Sequence, residues 1–262
     1  MRLQPLIPKD KKAPNLSRGL DILELVLKKK GGVSFTQILN TLQIPRASLA
    51  RILKTLIERQ YLSKDEQTGY YGLGLKLIQL GGSVSGSIKI NKYASEAMEW
   101  LWEKSQETVE LVILDRDQLV LVDQIVSRKG IRVYNRIGSA FPFFHATACG
   151  KIYLAFMDPV KRNNAYEKIG LPSITHFTLS NRKKLDQELK RVKERGYATE
   201  NQEVREGIYR IAAPAFDADG GIACCLSIAG LYQENHAKRE KELAGMVIEA
   251  SKKISRNLGV KF

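Results

Sequence analysis

The chain reads as an α+β protein: a winged helix–turn–helix at the N-terminus, then a second part whose mostly antiparallel sheet is covered by helices. Three observations predict this. Phe35, Ile38, Leu39 and Leu42 recur at helical spacing, as do Leu49, Ile52, Leu53 and Leu56, and Ile44-Pro45 interrupts between the two stripes. A hairpin signal follows, with Tyr61-Leu-Ser-Lys, a turn from Asp65 to Gly69, and Tyr70-Tyr-Gly-Leu. From Val109 onward, short apolar runs separated by polar turns replace the helical period.

Each element has its own reason. Leu16, Leu20, Leu23, Val26 and Leu27 make a first apolar stripe, entered at Ser17 as N-cap. Ser34 and Thr36 open the second helix, either capping it or meeting a partner's backbone. Proline suits the first helical position and pushes Ile44 out of the helical region, so the third helix starts at Pro45. After the hairpin, the segment from Leu73 begins a helix running into Gly81-Gly-Ser, which suits a linker. A helix over about 91–105 carries Tyr93, Ala94, Ala97, Met98, Leu101 and Trp102 on its apolar side.

Val109–Leu114 and Leu119–Val126 flank the turn Asp115-Arg-Asp-Gln as a strand pair, and Ile131–Tyr134 is expected as a third short strand. Phe141-Pro-Phe-Phe is expected as a loop, and 145–156, 159–169 and 181–195 as helices, the last ended by Gly196. Strands over 208–216 and 221–229 are joined by Asp217-Ala-Asp-Gly-Gly, and a helix over 236–258 closes the chain.

The 262 residues give room for two modest domains. No apolar run approaches the roughly 20 residues of a membrane span, and Met1–Pro14 lacks the apolar region of a secretory signal, so the cytoplasm is the expected location. Net charge is +14. Through Lys76 there are 14 Lys/Arg against 6 Asp/Glu, and in the remaining 186 residues 28 against 22, so charge density is several-fold higher in the first third. That is the footprint of a domain that binds a polyanion.

No G-x-S-x-G, P-loop, H-E-x-x-H or strand-following G-x-G-x-x-G is present, and Gly72-Leu-Gly lacks the third glycine, so no enzyme activity and no catalytic residue is expected. Cys149, Cys224 and Cys225 match no zinc spacing and form no disulfide framework; the expectation is buried free thiols, no metal and no cofactor. Adjacent residues of a strand face opposite ways, so Cys224 and Cys225 belong to different faces.

Between the apolar positions of the third helix lie Arg46, Ser48, Arg51, Lys54 and Thr55, a basic face suited to the major groove. Arginine reads guanine bidentately, while Lys and Thr suit phosphate, and Lys64 on the wing is a further phosphate candidate. Which arginine touches a base is open, and Arg51 could instead pair with Glu58 along the helix.

Ordered motifs extend this reading: Ser17-Arg-Gly-Leu-Asp-Ile-Leu-Glu, Pro45-Arg-Ala-Ser-Leu-Ala-Arg-Ile-Leu-Lys-Thr-Leu, Tyr71-Gly-Leu-Gly, His145-Ala-Thr-Ala-Cys-Gly-Lys, Arg195-Gly-Tyr-Ala, Glu203 before Gly207, Ile211-Ala-Ala-Pro and Cys224-Cys-Leu-Ser-Ile-Ala-Gly. Together they resemble the IclR family of bacterial transcriptional regulators, from about Leu16 to Gly259. Residues 1–14, polar and basic, are expected as a flexible basic arm, and the resemblance implies a winged helix–turn–helix DNA-binding domain (15–75), a linker helix (76–90) and a GAF-like effector-binding domain (91–262). It implies binding to palindromic double-stranded operator DNA as a homodimer or homotetramer, with a repressor expected rather than an activator. The effectors of such regulators are small metabolites, often carboxylates. The alternative is a constitutive DNA-binding protein without an effector.

By family position, Ala148, Cys149, Gly150, Asn201, Arg210 and Ser227 line the effector pocket. Small residues at 148–150 would let a carboxylate approach backbone N–H groups at a helix start. The family often has an acidic residue at the position of Asn201 and a small or apolar one at that of Arg210. An inward Arg210 favours an anionic ligand, and an outward one, equally allowed by strand alternation, says nothing. His145 is expected to bond loop backbone rather than ligand.

Overall fold

The computed structural model describes residues 13–29, 31–87, 89–233 and 236–260. It divides between Ser87 and Ile88 into two compact units. Of the expected arm, residues 1–12 lie outside the described residues.

The first unit runs α1 (Pro14–Lys28), α2 (Phe35–Leu42), α3 (Arg46–Glu58), β1 (Leu62–Lys64), β2 (Tyr71–Leu73) and α4 (Lys76–Ser87). Its core is Ile22, Val26, Val33, Ile38, Ile44, Leu49, Leu53, Leu62 and Tyr71. Helix α1 starts before Ser17, at Pro14, and Ala13 caps it without a side-chain bond. Its buried face is Gly19, Ile22 and Val26, while Leu16, Leu20 and Leu27 of the expected stripe are exposed. Gly19 faces Ile52 of α3, where a Cβ would make an ordinary 3.7 Å contact with Cγ2, so α1 turns the face with Gly19 inward.

Ser34 caps α2 in a reciprocal box, its Oγ accepting from Gln37 N at 3.2 Å and its own N donating to Gln37 Oε1 at 2.8 Å. The bend into α3 uses Gln43 in the left-handed region, buried Ile44, and Pro45, which is the N-cap residue rather than the first helical one. Val33 and Tyr71 exchange backbone hydrogen bonds at 3.0 and 2.9 Å, tying the entry of α2 to the hairpin. Gly74 closes the hairpin; a Cβ there would sit 2.1 Å from Gln60 O, so only glycine lets the chain pass the end of α3.

The second unit begins with α5 (Lys89–Ser105), so the expected linker span covers α4 and the first residues of α5. Then follow β3 (Thr108–Asp115), β4 (Gln118–Ile125), β5 (Ala140–Phe141), α6 (Ala148–Phe156), α7 (Pro159–Ile169), α8 (Arg182–Arg195), β6 (Ala198–Asn201), β7 (Ile208–Phe216), β8 (Ile222–Leu231) and α9 (His236–Asn257). The six strands form one sheet in the order β5-β4-β3-β8-β7-β6, and every pairing is antiparallel. One face packs on α5 and α9 through Leu101, Leu111, Ile211, Leu226, Ile228 and Val247. The other packs on α6 and α8 through Val112, Leu121, Ile152, Leu185, Leu189 and Ala212. Cys224 belongs to the first layer and Cys225 to the second, as strand alternation requires.

Three local expectations are corrected. Ile131–Tyr134 is not a strand but an irregular loop, whose hold on the sheet is the Thr108 Oγ1 hydrogen bond to Val133 O at 2.8 Å; the short strand beside β4 is β5. Helix α6 begins at Ala148 rather than His145, because Thr147 caps it by accepting from Gly150 N at 3.1 Å. Glu200-Asn201, which the sequence suggests as a loop, belong to strand β6. Pro214 stands inside β7 without a lost ladder bond on the β6 side, because β6 pairs only with Tyr209 to Ala212.

Candidate functional site

In the first unit, Leu49 and Leu53 anchor α3 in the core, which turns the opposite side of the helix to solvent. Arg51, Lys54 and Thr55 are exposed there, Arg46 is exposed at the first turn in line with Leu49 and Leu53, and Ser48 is half-buried. The Arg46 guanidinium lies 5.3 Å from the Phe35 ring centre, a cation–π contact that fixes its stem. Glu58 pairs at 3.8 Å with Lys54, not with Arg51, and this exposed pair is worth little. The Thr55 hydroxyl donates to Arg51 O at 3.1 Å.

On the wing, Lys64 is exposed beside a tied turn. Asp65 Oδ1 accepts from Gln67 N at 2.9 Å, Thr68 N at 2.8 Å and Thr68 Oγ1 at 2.9 Å. These bonds, the Thr68 backbone bond foremost, hold the Asp65 carboxyl below its ordinary pKa. A groove of about 270 Å³ between α3 and the wing is bordered by both Lys54 and Lys64, with Phe35 and Tyr71 among its walls. Two cations from separate elements thus share one concave edge.

In the second unit, the α6/α8 face of the sheet carries a buried charge cluster. Glu200 and Arg210 are register partners on β6 and β7. Arg210 Nη1 donates to Glu200 Oε1 at 3.1 Å and Oε2 at 3.3 Å, and its Nε to Glu110 Oε2 at 3.1 Å. Asn135 Nδ2 donates to Glu110 Oε1 at 2.6 Å. Nearby, Lys151 Nζ bonds Thr199 O at 2.9 Å and pairs with Glu203. All five charged residues are buried, Glu110 and Glu200 completely.

Burial raises the pKa of Glu200 against the pull of Arg210, and raises that of Glu203 against the pull of Lys151. Burial also works against the charge of Arg210, but Glu110 and Glu200 outweigh it and raise its pKa. Three carboxyl groups therefore face two cations.

The other pocket candidates sit around this cluster in different states. Arg210 faces inward and is already paired. Ser227, fully buried, is the register partner of Glu110. Asn201 is half-buried, and its Oδ1 has no hydrogen-bond partner among the described residues. Ala148, Cys149 and Gly150 are buried at the start of α6. A Cβ at Gly150 would lie 2.1 Å from Phe144 O, so its missing side chain makes room for the protein's own backbone. Burial pushes the thiols of Cys224 and Cys225 up, Cys224 to about 12. His145 Nε2 lies 3.0 Å from Pro172 O, and burial lowers its pKa.

Sequence reasoning passed over Glu110, Asn135 and Lys151 as side chains facing the site. The signal was a charged residue inside an otherwise apolar element: Glu110 in Val109-Glu-Leu-Val, and Lys151 in a helix buried from Ala148 to Ala155. A recess of the second unit, about 130 Å³, lies not at this cluster but at the end of the sheet beside Glu107 and Tyr209. Among the described residues no helix is long and apolar enough to cross a membrane, and no cluster could hold a metal ion.

Comparison with known proteins supplies the frame. Residues 15–66 match the IclR helix–turn–helix domain and residues 82–256 the C-terminal domain of bacterial transcriptional regulator IclR. The HTH-type transcriptional regulator XynR of Escherichia coli is 29% identical over 245 residues, covering 94% of this chain and 97% of XynR. The crystal structure of IclR from Thermotoga maritima superposes with a TM-score of 0.77 at 26% identity, covering 94% of this chain and 98% of that one. An IclR homologue from Microbacterium hydrocarbonoxydans, solved with 4-hydroxybenzoate, shares the fold at a TM-score of 0.79 and 20% identity, covering 93% and 98%. With both of its units matched, one to the DNA-binding half and one to the C-terminal half, the chain belongs to the IclR family of bacterial transcriptional regulators.

Proposed function

We propose that this protein represses transcription by reading operator DNA with α3 and the wing, under the control of a small molecule sensed in the second unit. The observation that carries the DNA half is the exposed cationic side of α3 opposite Leu49 and Leu53, with Lys64 across the same groove as Lys54. Helix α3 enters the major groove, one of Arg46 and Arg51 reaches a base edge, and Lys54, Thr55, Ser48 and Lys64 meet phosphates. The units defined here, a DNA-binding half to about residue 75, a linker and a sensing half from about residue 91, work as a homodimer or homotetramer on a two-fold site. No catalysis is part of this reading.

The sensing site we assign is the cluster around Arg210, Asn201, Ser227 and the start of α6. Support comes from buried polar groups gathered on one sheet face, including the unpartnered Asn201 Oδ1. An organic acid is the class suggested by relatives such as the 4-hydroxybenzoate-bound homologue. Glu110 and Glu200 already neutralise Arg210, so an acid binding there must displace one of them or arrive with a proton.

The test is fluorescence anisotropy of the full chain with its own upstream intergenic DNA and with a scrambled duplex, across a salt series. Expected is tighter binding to the upstream duplex and a steep fall with salt as condensed counterions are released. Equal affinity for both duplexes, or a flat salt profile, overturns the reading.

A further inference from the structure

The recess at the end of the sheet is a different chemical environment from the Arg210 cluster, although strand β7 connects them. Tyr209 points into the α5/α9 layer and its neighbour Arg210 to the opposite face. The recess is lined by Glu107, Lys129, Arg132, Tyr209, Gly230 and Arg239 among others.

Its outer wall is a loop held at three points. Ser127 N donates to Thr108 Oγ1 at 3.1 Å, and Thr108 Oγ1 donates to Val133 O at 2.8 Å, pinching the loop at both ends. Ser127 Oγ donates to Gln106 O at 2.7 Å and accepts from Lys129 N at 3.2 Å. Arg132 Nη1 then donates to Lys129 O at 3.2 Å, inside the loop. The floor is Glu107, nearly fully buried and paired with Lys129. Gly230 completes it: a Cβ there would lie 2.8 Å from both Glu107 Oε2 and the Tyr209 hydroxyl. The absent side chain thus leaves a carboxylate and a phenol reachable from one point.

Charge decides what such a recess takes. It has three cations and one carboxylate, and among the described residues neither Arg132 nor Arg239 forms an ion pair with a carboxylate. The Arg210 cluster has three carboxyl groups and two cations. An entering anion is attracted directly to the first, whereas at the second it must displace a carboxylate or arrive with a proton. Glu107 and Tyr209, which already share a side-chain hydrogen bond, supply an acceptor and a hydroxyl partner that a donor on the same ligand can join. A volume of about 130 Å³ is well below the ~300 Å³ of drug-sized sites, so the ligand is small.

We propose that this recess is a second ligand site of the C-terminal domain, selective for a small carboxylate or phosphate monoester that also carries a hydroxyl group. Arg132 and Arg239 hold the anionic end, and Glu107 with Tyr209 receives the hydroxyl. The site goes beyond the sensing cluster and does not depend on it.

The test is isothermal titration of the full chain at fixed ionic strength with malate, with glycerol 3-phosphate, and with neutral erythritol. The same titrations are run on R132E/R239E, both exposed positions, and on E200Q in the sensing cluster, each variant first checked for folding by circular dichroism. Expected is saturable binding of one anion, weakened more than about tenfold in R132E/R239E and unchanged in E200Q. Binding of malate identifies the carboxylate class and of glycerol 3-phosphate the phosphate class. The proposal is overturned if neither anion binds up to about 10 mM, if erythritol binds equally well, or if R132E/R239E binds as the parent does. Anion binding lost only in E200Q would also overturn it, and would point back to the sensing cluster. DNA binding, measured separately, tests the regulator reading independently.

Discussion

Arg210 and Glu200 are register partners across two strands, and the guanidinium closes two hydrogen bonds onto one carboxylate at 3.1 and 3.3 Å with no part of Glu200 exposed. With Glu110 on the Nε side, the arginine is clamped from two directions. Such a triad holds itself in one arrangement, but removing one member leaves uncompensated charge in the interior.

Arg210→Ala should therefore lower the stability of the second unit by about 3–5 kcal/mol, measured by urea unfolding. Replacing all three members together, as E110L/E200L/R210M, should cost far less or stabilise, because no unpaired desolvated charge remains once the triad is gone and Lys151 keeps its partner Glu203. A triple variant as unstable as Arg210→Ala would show that shape, not charge, sets the cost.

The raised carboxyls of Glu200 and Glu203 give a definite pH trend. Their pKa values in the folded state lie above the ordinary 4.5, so between the two values the folded chain binds more protons than the unfolded one. Their contribution is greatest below about pH 4.5 and declines as pH rises through the raised values. In E200Q one of these two contributions is gone, so its thermal midpoint should change less between about pH 5 and pH 7 than that of the parent. Parallel midpoint curves would remove Glu200 as a source.

Arginine and lysine on α3 should separate by readout. Arg51→Ala is expected to weaken operator binding by about 1–3 kcal/mol and to blur sequence preference. Lys54→Ala should weaken all duplexes alike and reduce the salt slope by about one. Quantitative gel shifts on matched and scrambled duplexes distinguish the two patterns; identical behaviour of both variants would assign both residues to phosphate.

Gly150→Ala tests how tightly α6 is seated. The added methyl would meet Phe144 O at 2.1 Å and Phe144 Cα at 2.5 Å, both backbone atoms that move only with the loop. A loss of about 1–3 kcal/mol or more is expected in chemical denaturation. A neutral result would mean that the Phe144 turn yields freely.

Much of this was legible from periodicity alone. The stripes of α2 and α3, the hairpin, and the pairs β3–β4 and β7–β8 follow local rules that tertiary packing did not override. Helix α1 was misread because leucine outweighs glycine in any apolar count, whereas packing on Ile52 selected the face with Gly19. Ile131–Tyr134 has strand composition, but its anchor is a threonine hydroxyl from another element, which no local pattern encodes. The site divided in the same way. The solvent side of α3 is fixed by which residues cannot be inside, so its candidates could be named. The partners of Arg210 come from positions 110 and 200, with Asn135 bonded in turn to Glu110, and only the fold brings them together.

The outer strands of the sheet have one more implication. Strand β5 has two residues and β6 four, and where β7 runs on past β6 it carries Pro214, which cannot donate to a ladder. Neither terminal strand, β5 nor β6, by itself offers a visiting strand enough main-chain pairing to lengthen the sheet. In the homo-oligomer proposed above, contacts between copies would run through side chains on helices and loops, so the association could be tuned one residue at a time without disturbing the strands within.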